Sequence, residues 1–120
     1  MNVSVVYKSN VKSGVLDELT GELPVIFSEV LEVPGGKLAI LKPEQVSLQF
    51  TQANTRDVGS DIRVLVFART NIPRASTEKN LAKEILKKVI ALVTRSGEKY
   101  SVNIRLYLME IGVAEYTPNI

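Results

Sequence analysis

Hydrophobic positions along this chain follow two periods that exchange at regular intervals. Asn2 to Tyr7 is a β-branched, apolar run of strand length. After a polar turn from Lys8 to Gly14, Leu16, Leu19, Leu23, Ile26, Val30 and Val33 recur at spacings of three and four, which makes one face of a helix. Pro24 lies within that run. Proline lacks an amide donor and crowds the preceding turn, so a kink or break is expected near Gly21 to Pro24. Pro34-Gly35-Gly36 ends the element, and Lys37 to Glu44 is a connector. From Gln45 to Thr51 the period is two, with Val46, Leu48 and Phe50 on one side and Ser47, Gln49 and Thr51 on the other. That alternation predicts a strand with one buried face. Ala53 to Ser60 is a loop.

The same order then returns. Asp61 to Ala68 predicts a third strand. Ser76 is placed to cap a second helix, and Glu78 lies in its first turn, where the helix dipole favours an acid. Leu81, Ile85, Val89 and Leu92 form its buried stripe, flanked by Leu86, Ile90 and Val93, while Lys79, Lys83, Glu84, Lys87 and Lys88 take the wet side. Gly97 follows where a left-handed residue closes a helix. Val102 to Leu108 alternates again, and the tail from Glu110 to Ile120 has room for a short extra strand.

The two halves match residue for residue. Val3 to Val11 lies over Val64 to Ile72, and Val46 to Phe50 over Val102 to Leu106, the first half carrying a longer connector around Gly35 to Ala39. Each half is therefore a βαβ unit with one apolar helix stripe, parallel within itself by the crossover rule. The expected fold is α+β: one domain over 1–120, with halves of about 1–60 and 61–120, a four-stranded sheet and both helices on one face. The helices cover the side bearing Val46, Leu48, Phe50, Val102, Ile104 and Leu106. The other side shows Ser47, Gln49, Asn103, Arg105 and Tyr107 together with Leu65 and Phe67, either as a solvated sheet or as the inner face of a closed oligomer.

Composition narrows the chemistry. A net charge of +2, from 15 basic and 13 acidic residues spread along the chain, gives no footprint for nucleic acid. No apolar run reaches the roughly 18 residues of a membrane span, and no export signal is read at the start, so the default compartment is cytoplasmic. The chain has no Cys and no His, which excludes thiolate chemistry and the Ser-His and zinc-histidine designs, and no paired-carboxylate motif offers a metal site.

In its duplicated βαβ, its Thr70 to Ser76 turn (TNIPRAS), the Asp61 to Glu78 strand-turn-helix, Lys42-Pro43 ahead of the second strand, and the Tyr107-Leu108-Met109 to Tyr116 ending, the chain resembles the tautomerase superfamily. That family includes macrophage migration inhibitory factor and 5-carboxymethyl-2-hydroxymuconate isomerase. The resemblance implies a homotrimer of ferredoxin-like subunits, sites between neighbours, no cofactor, and keto-enol proton transfer. The base it implies is an amino-terminal proline, and cationic side chains hold the substrate carboxylate. This chain departs from the pattern at that base: Met1 and Asn2 occupy the proline position. A primary α-amine titrates near about 7.7–8.0, and a retained Met1 is expected to project its side chain into the substrate space.

Four residues are candidates for binding a small carboxylate, each with a plainer reading beside it. Lys42 is a pocket lysine or a solvated connector lysine; Arg69 is a pocket-wall cation or a turn stabiliser, since its repeat counterpart is Lys8. Arg105 meets anions or pairs with a neighbour's acid, and Tyr107 is a pocket hydroxyl or an interface aromatic. Asn10 and Asn71 suit turns. The expected function is a tautomerase-like binding or structural trimer without proline-dependent activity. One alternative is a cofactor-free isomerase of small enolisable acids, working through the Met1 amine or a pocket Lys or Arg. A further alternative, an RNA-binding βαββαβ module, lacks the aromatic strand motif such modules use: in Asp61 to Ala68 only Phe67 is able to stack.

Overall fold

The period-two runs form strands and the three-four runs form helices. The computed structural model describes residues 1–31, 43–69 and 78–118. In chain order these give β1 (Asn2–Tyr7), α1 (Ser13–Leu31), β2 (Ser47–Gln52), β3 (Ile62–Arg69), α2 (Glu78–Thr94) and β4 (Val102–Met109), with a 3-10 turn at Pro43–Gln45 leading into β2. The sheet order is β2-β1-β3-β4. β1 and β2 are parallel, β3 and β4 are parallel, and the two pairs meet along an antiparallel seam between β1 and β3.

Register carries the duplication. Val5 pairs with Phe50, and their repeat counterparts Val66 and Leu106 pair with each other; Val3 with Leu48 is repeated as Val64 with Ile104. At the seam Val3 faces Val66 and Val5 faces Val64, so exchanging the halves returns the same contacts.

Both helices pack on one side of the sheet. Val3, Val5, Ile62, Val64 and Val66 point into that layer and are essentially inaccessible, covered by Leu19, Leu23 and Phe27 of α1 and by Ile85 and Val89 of α2. Burying each such side chain stabilises the fold by roughly 1.5–3 kcal/mol. Leu48, Phe50, Ile104 and Leu106 face the same layer but are only half-buried, because β2 and β4 are the sheet edges. Lys88 of α2 reaches Glu29 of α1 at 3.8 Å, so one residue of the expected wet face bridges the helices instead. Ile90, expected beside the stripe, is exposed.

Two expectations are corrected. Of the kink or break expected near Gly21 to Pro24, the break does not occur: α1 runs continuously from Ser13 to Leu31 with Pro24 inside. Leu19, Leu23, Ile26, Phe27 and Leu31 are buried on both sides of the proline. Their combined burial, at roughly 1.5–3 kcal/mol each, exceeds the roughly 3 kcal/mol an interior proline costs. Nor does the tail hold a strand in its described part, 110–118: no strand pairs with it, and Val113 and Tyr116 stand 71% and 85% exposed. Gly97 does take a left-handed φ of 80°, and the Ser96 and Gly97 amides donate back to the carbonyls of Val93 and Thr94. The Pro34 to Gly36 terminator, the Thr70 to Ser76 turn and the Ser76 cap lie outside the described residues.

A polar knot ties the ends of the strands together. The Asp61 carboxylate accepts the Ser101 amide at 3.0 Å and the Ser101 hydroxyl at 3.2 Å. The Lys8 amide donates to the Asp61 carbonyl, and the Ile62 amide to the Ser101 carbonyl. Beside it, the Tyr100 hydroxyl donates to the Asn10 carbonyl and accepts the Lys12 amide, joining the approach to β4 with the start of α1. Lys12 also pairs with Glu98.

Candidate functional site

Strand alternation sends every second residue to the helix-free face, and register sorts those residues into rows. One row is Thr51, Val6, Arg63, Asn103; the next is Gln49, Ser4, Leu65, Arg105; the third is Ser47, Asn2, Phe67, Tyr107. The β3–β4 side of this face carries arginines and aromatics, and the loop Val58 to Ser60 rises over the start of β3. Between loop and strands lies a cleft of about 340 Å³, whose polar walls are Ser60, Arg63, Asn103, Arg105 and Tyr107. Among the described residues no acidic side chain lines it.

The two guanidinium groups sit differently. Arg105 is exposed, and its Nε donates to Asn103 Oδ1 at 3.3 Å. The Arg63 Nε is buried and meets no acceptor among the described residues. Leaving a buried donor unmet costs about 1–3 kcal/mol, more where the group is charged. The shielding comes from Gly59: its φ is 152°, and a β-carbon there would stand 3.2 Å from Arg63 Cδ and 3.4 Å from Nε. A glycine suits both that φ and the close approach of the loop to the arginine stem; a side chain there would press on the stem. At the far end Phe67 and Tyr107 stack, with ring centroids 5.0 Å apart. The site can hold an anion, with a flat apolar wall beside it.

No family model matches this chain, and no curated protein matches it in sequence. Solved structures do match its backbone. A fused 4-OT wild type, solved as an asymmetric trimer, superposes with a TM-score of 0.66 at 11% identity, over 98% of this chain and 95% of its own. Malonate semialdehyde decarboxylase, solved in wild-type, mutant and inactivated forms, gives 0.65 at 8% identity, over 100% and 93%. A macrophage migration inhibitory factor-like protein from Entamoeba histolytica gives 0.56 at 14% identity, over 92% and 87%. The fold is that of the tautomerase superfamily.

Within this tautomerase fold the predicted site residues divide. Arg105 and Tyr107 come together in the cleft. Arg69 ends β3 beyond the Phe67–Tyr107 row, where its Nη2 donates to the Ile111 carbonyl at 3.2 Å, so it anchors the tail rather than lining the cleft. Lys42 lies outside the described residues. Asn2 heads β1 and shares a row with Phe67 and Tyr107. The Met1 side chain, alternating with Asn2, packs against the core on the helix side. Arg63 is the residue that sequence reasoning missed. Its parity with Leu65 and Phe67, opposite to Ile62, Val64 and Val66, was the available signal. Among the described residues no three His, Cys, Asp or Glu side chains gather as metal ligands would, and no helix is long and apolar enough to cross a membrane.

Proposed function

We propose that this chain is a tautomerase-superfamily protein that acts as one tautomerase-like unit of a homotrimer and binds a small carboxylate on its open sheet face, without proline-dependent tautomerase activity. The observation that carries the reading is the acid-free cleft holding Arg105 and Tyr107. Asn2 at the head of β1 supplies no pyrrolidine nitrogen, which supports the reading without proline-dependent activity. Trimer assembly draws support from the trimeric 4-OT structures that share the fold, and from the edge strands β2 and β4, which no other described strand pairs on their outer sides. Lys42 and Arg69 belong to the reading as residues that a neighbouring subunit or the connector brings to the ligand.

Native mass spectrometry together with carboxylate titration tests it. A trimer that binds acetate or phenylpyruvate, loses that affinity in Arg105→Gln, and ketonises phenylpyruvate no faster than buffer is the expected result. A monomer, or a protein indifferent to carboxylates, refutes it.

A second reading has one observation in its favour. The Met1 side chain packs against the core and so does not itself cover the start of β1 on the open face. Under this reading the protein is a cofactor-free isomerase of small enolisable acids that uses the Met1 amine as base. Turnover above buffer that disappears on acetylation of that amine identifies it.

A further inference from the structure

We infer that Arg63 and Arg105 together make the cleft a receptor for one doubly charged small anion, with Gly59 holding Arg63 in place. The inference rests on the reading of the open face as a ligand-binding face and names the ligand class that this face selects.

Arg63 lies one strand away from Arg105, and its register partner Asn103 stands two residues before Arg105 on the same side of β4. Both arginines line one cleft, and neither has an acidic partner among the described residues. A guanidinium is charged at every working pH and presents a planar fork that matches an oxyanion through paired hydrogen bonds. A single carboxylate engages one fork and leaves the second cation uncompensated in a partly shielded site. A dianion engages both. Neutral donors complete the set: Asn103 accepts from Arg105 through Oδ1, which leaves its amide hydrogens for the ligand, and Tyr107 offers a hydroxyl.

Arg63 is also prearranged. The Gly59 loop lies against its stem and shields Nε, so the guanidinium does not collapse onto the sheet or extend freely into water. Ordering a long side chain before binding removes part of the entropy that binding would otherwise cost.

Titration calorimetry on the full chain at matched ionic strength tests the inference with acetate, succinate and inorganic phosphate. The work is done at about pH 8, where phosphate is mainly the dianion. Succinate or phosphate is expected to bind at least about tenfold more tightly than acetate. Arg63→Gln is expected to remove that margin, bringing the dianions to within about twofold of acetate measured on the same variant. Phosphate ahead of succinate identifies a single dianionic head group; succinate ahead of phosphate identifies a two-armed dicarboxylate. Equal affinity for all three, or a margin that survives Arg63→Gln, overturns the inference and leaves the carboxylate face standing. Binding of none of the three removes both. Should Arg63→Gln fail to fold, Gly59→Ala decides: it retains both arginines but presses on the Arg63 stem. It is expected to weaken the dianions about threefold or more with acetate unchanged, and an unaltered margin overturns the inference.

Discussion

Phe67 and Tyr107 are register partners on the parallel strands β3 and β4, and their rings lie 10° from coplanar with centroids 5.0 Å apart. The stack stands on the helix-free face, where Tyr107 remains 36% exposed. Stacking of this kind contributes about 0.5–1.5 kcal/mol beyond burial. A double-mutant cycle with Phe67→Leu and Tyr107→Leu, followed by urea unfolding, is expected to return a coupling in that range. Tyr107→Phe keeps the ring pair and is expected to unfold within about 0.5 kcal/mol of wild type. A coupling near zero would mean that the two rings are neighbours without mutual stabilisation.

Asp61 makes the lower margin of stability pH-dependent. The Ser101 amide, chiefly, holds its carboxyl below the ordinary 3.8; the Ser101 hydroxyl, Asn10 and the charge of Lys8 add to the effect, and partial desolvation opposes it. A carboxylate whose folded value is depressed contributes fully above its unfolded value and loses that contribution as pH falls through the folded one. The urea midpoint is therefore expected to hold down to about pH 4 and then fall. Asp61→Asn should unfold more easily at neutral pH and show a shallower acid limb. An acid limb as steep as that of wild type would contradict this.

Pro24 is a conformational misfit retained inside a packed helix. It is half-buried, so replacing its ring opens no deep void, while alanine restores an amide donor. Pro24→Ala is expected to stabilise the chain by about 1–3 kcal/mol, read as a higher denaturant midpoint at constant m-value. A loss of stability would show that the ring contributes packing that α1 needs.

Gly97→Ala isolates the backbone cost of a left-handed residue. A β-carbon there meets nothing within 4 Å, and the φ is 80°. The substitution is expected to cost about 1–2 kcal/mol by thermal or chemical denaturation. A neutral result would mean that the turn after α2 relaxes to another conformation.

Much of the fold was legible in the sequence because the decisive signals are local. Val46, Leu48 and Phe50 alternate with polar residues, and Leu81, Ile85, Val89 and Leu92 recur at helical spacing. The match of Val3 to Val11 with Val64 to Ile72 carried the topology. What escaped depends on distant parts of the chain. Pro24 reads as a breaker until the burial of Leu23 and Phe27 is weighed against it. The tail reads as a strand until no partner edge is found for 110–118. The packing of Met1 against the core follows from its parity with Val3, a relation that shows only once β1 is placed in the sheet. Of the site, Arg105 and Tyr107 were visible as outward residues on β4. Arg63 was not, because its role depends on lying beside Asn103 and on the backbone conformation of Gly59, and neither is a local property.

The matched registers of the two halves have a consequence for stoichiometry. The first-half counterparts of Arg63, Phe67, Arg105 and Tyr107 are Asn2, Val6, Gln49 and Thr51, which occupy equivalent stations on β1 and β2. Of these two sets of stations, only the β3–β4 one carries positive charge and aromatic surface. On the proposed reading each polypeptide should take up a single equivalent of ligand, and placing arginines at 2 and 49 tests whether register alone is enough to hold a second.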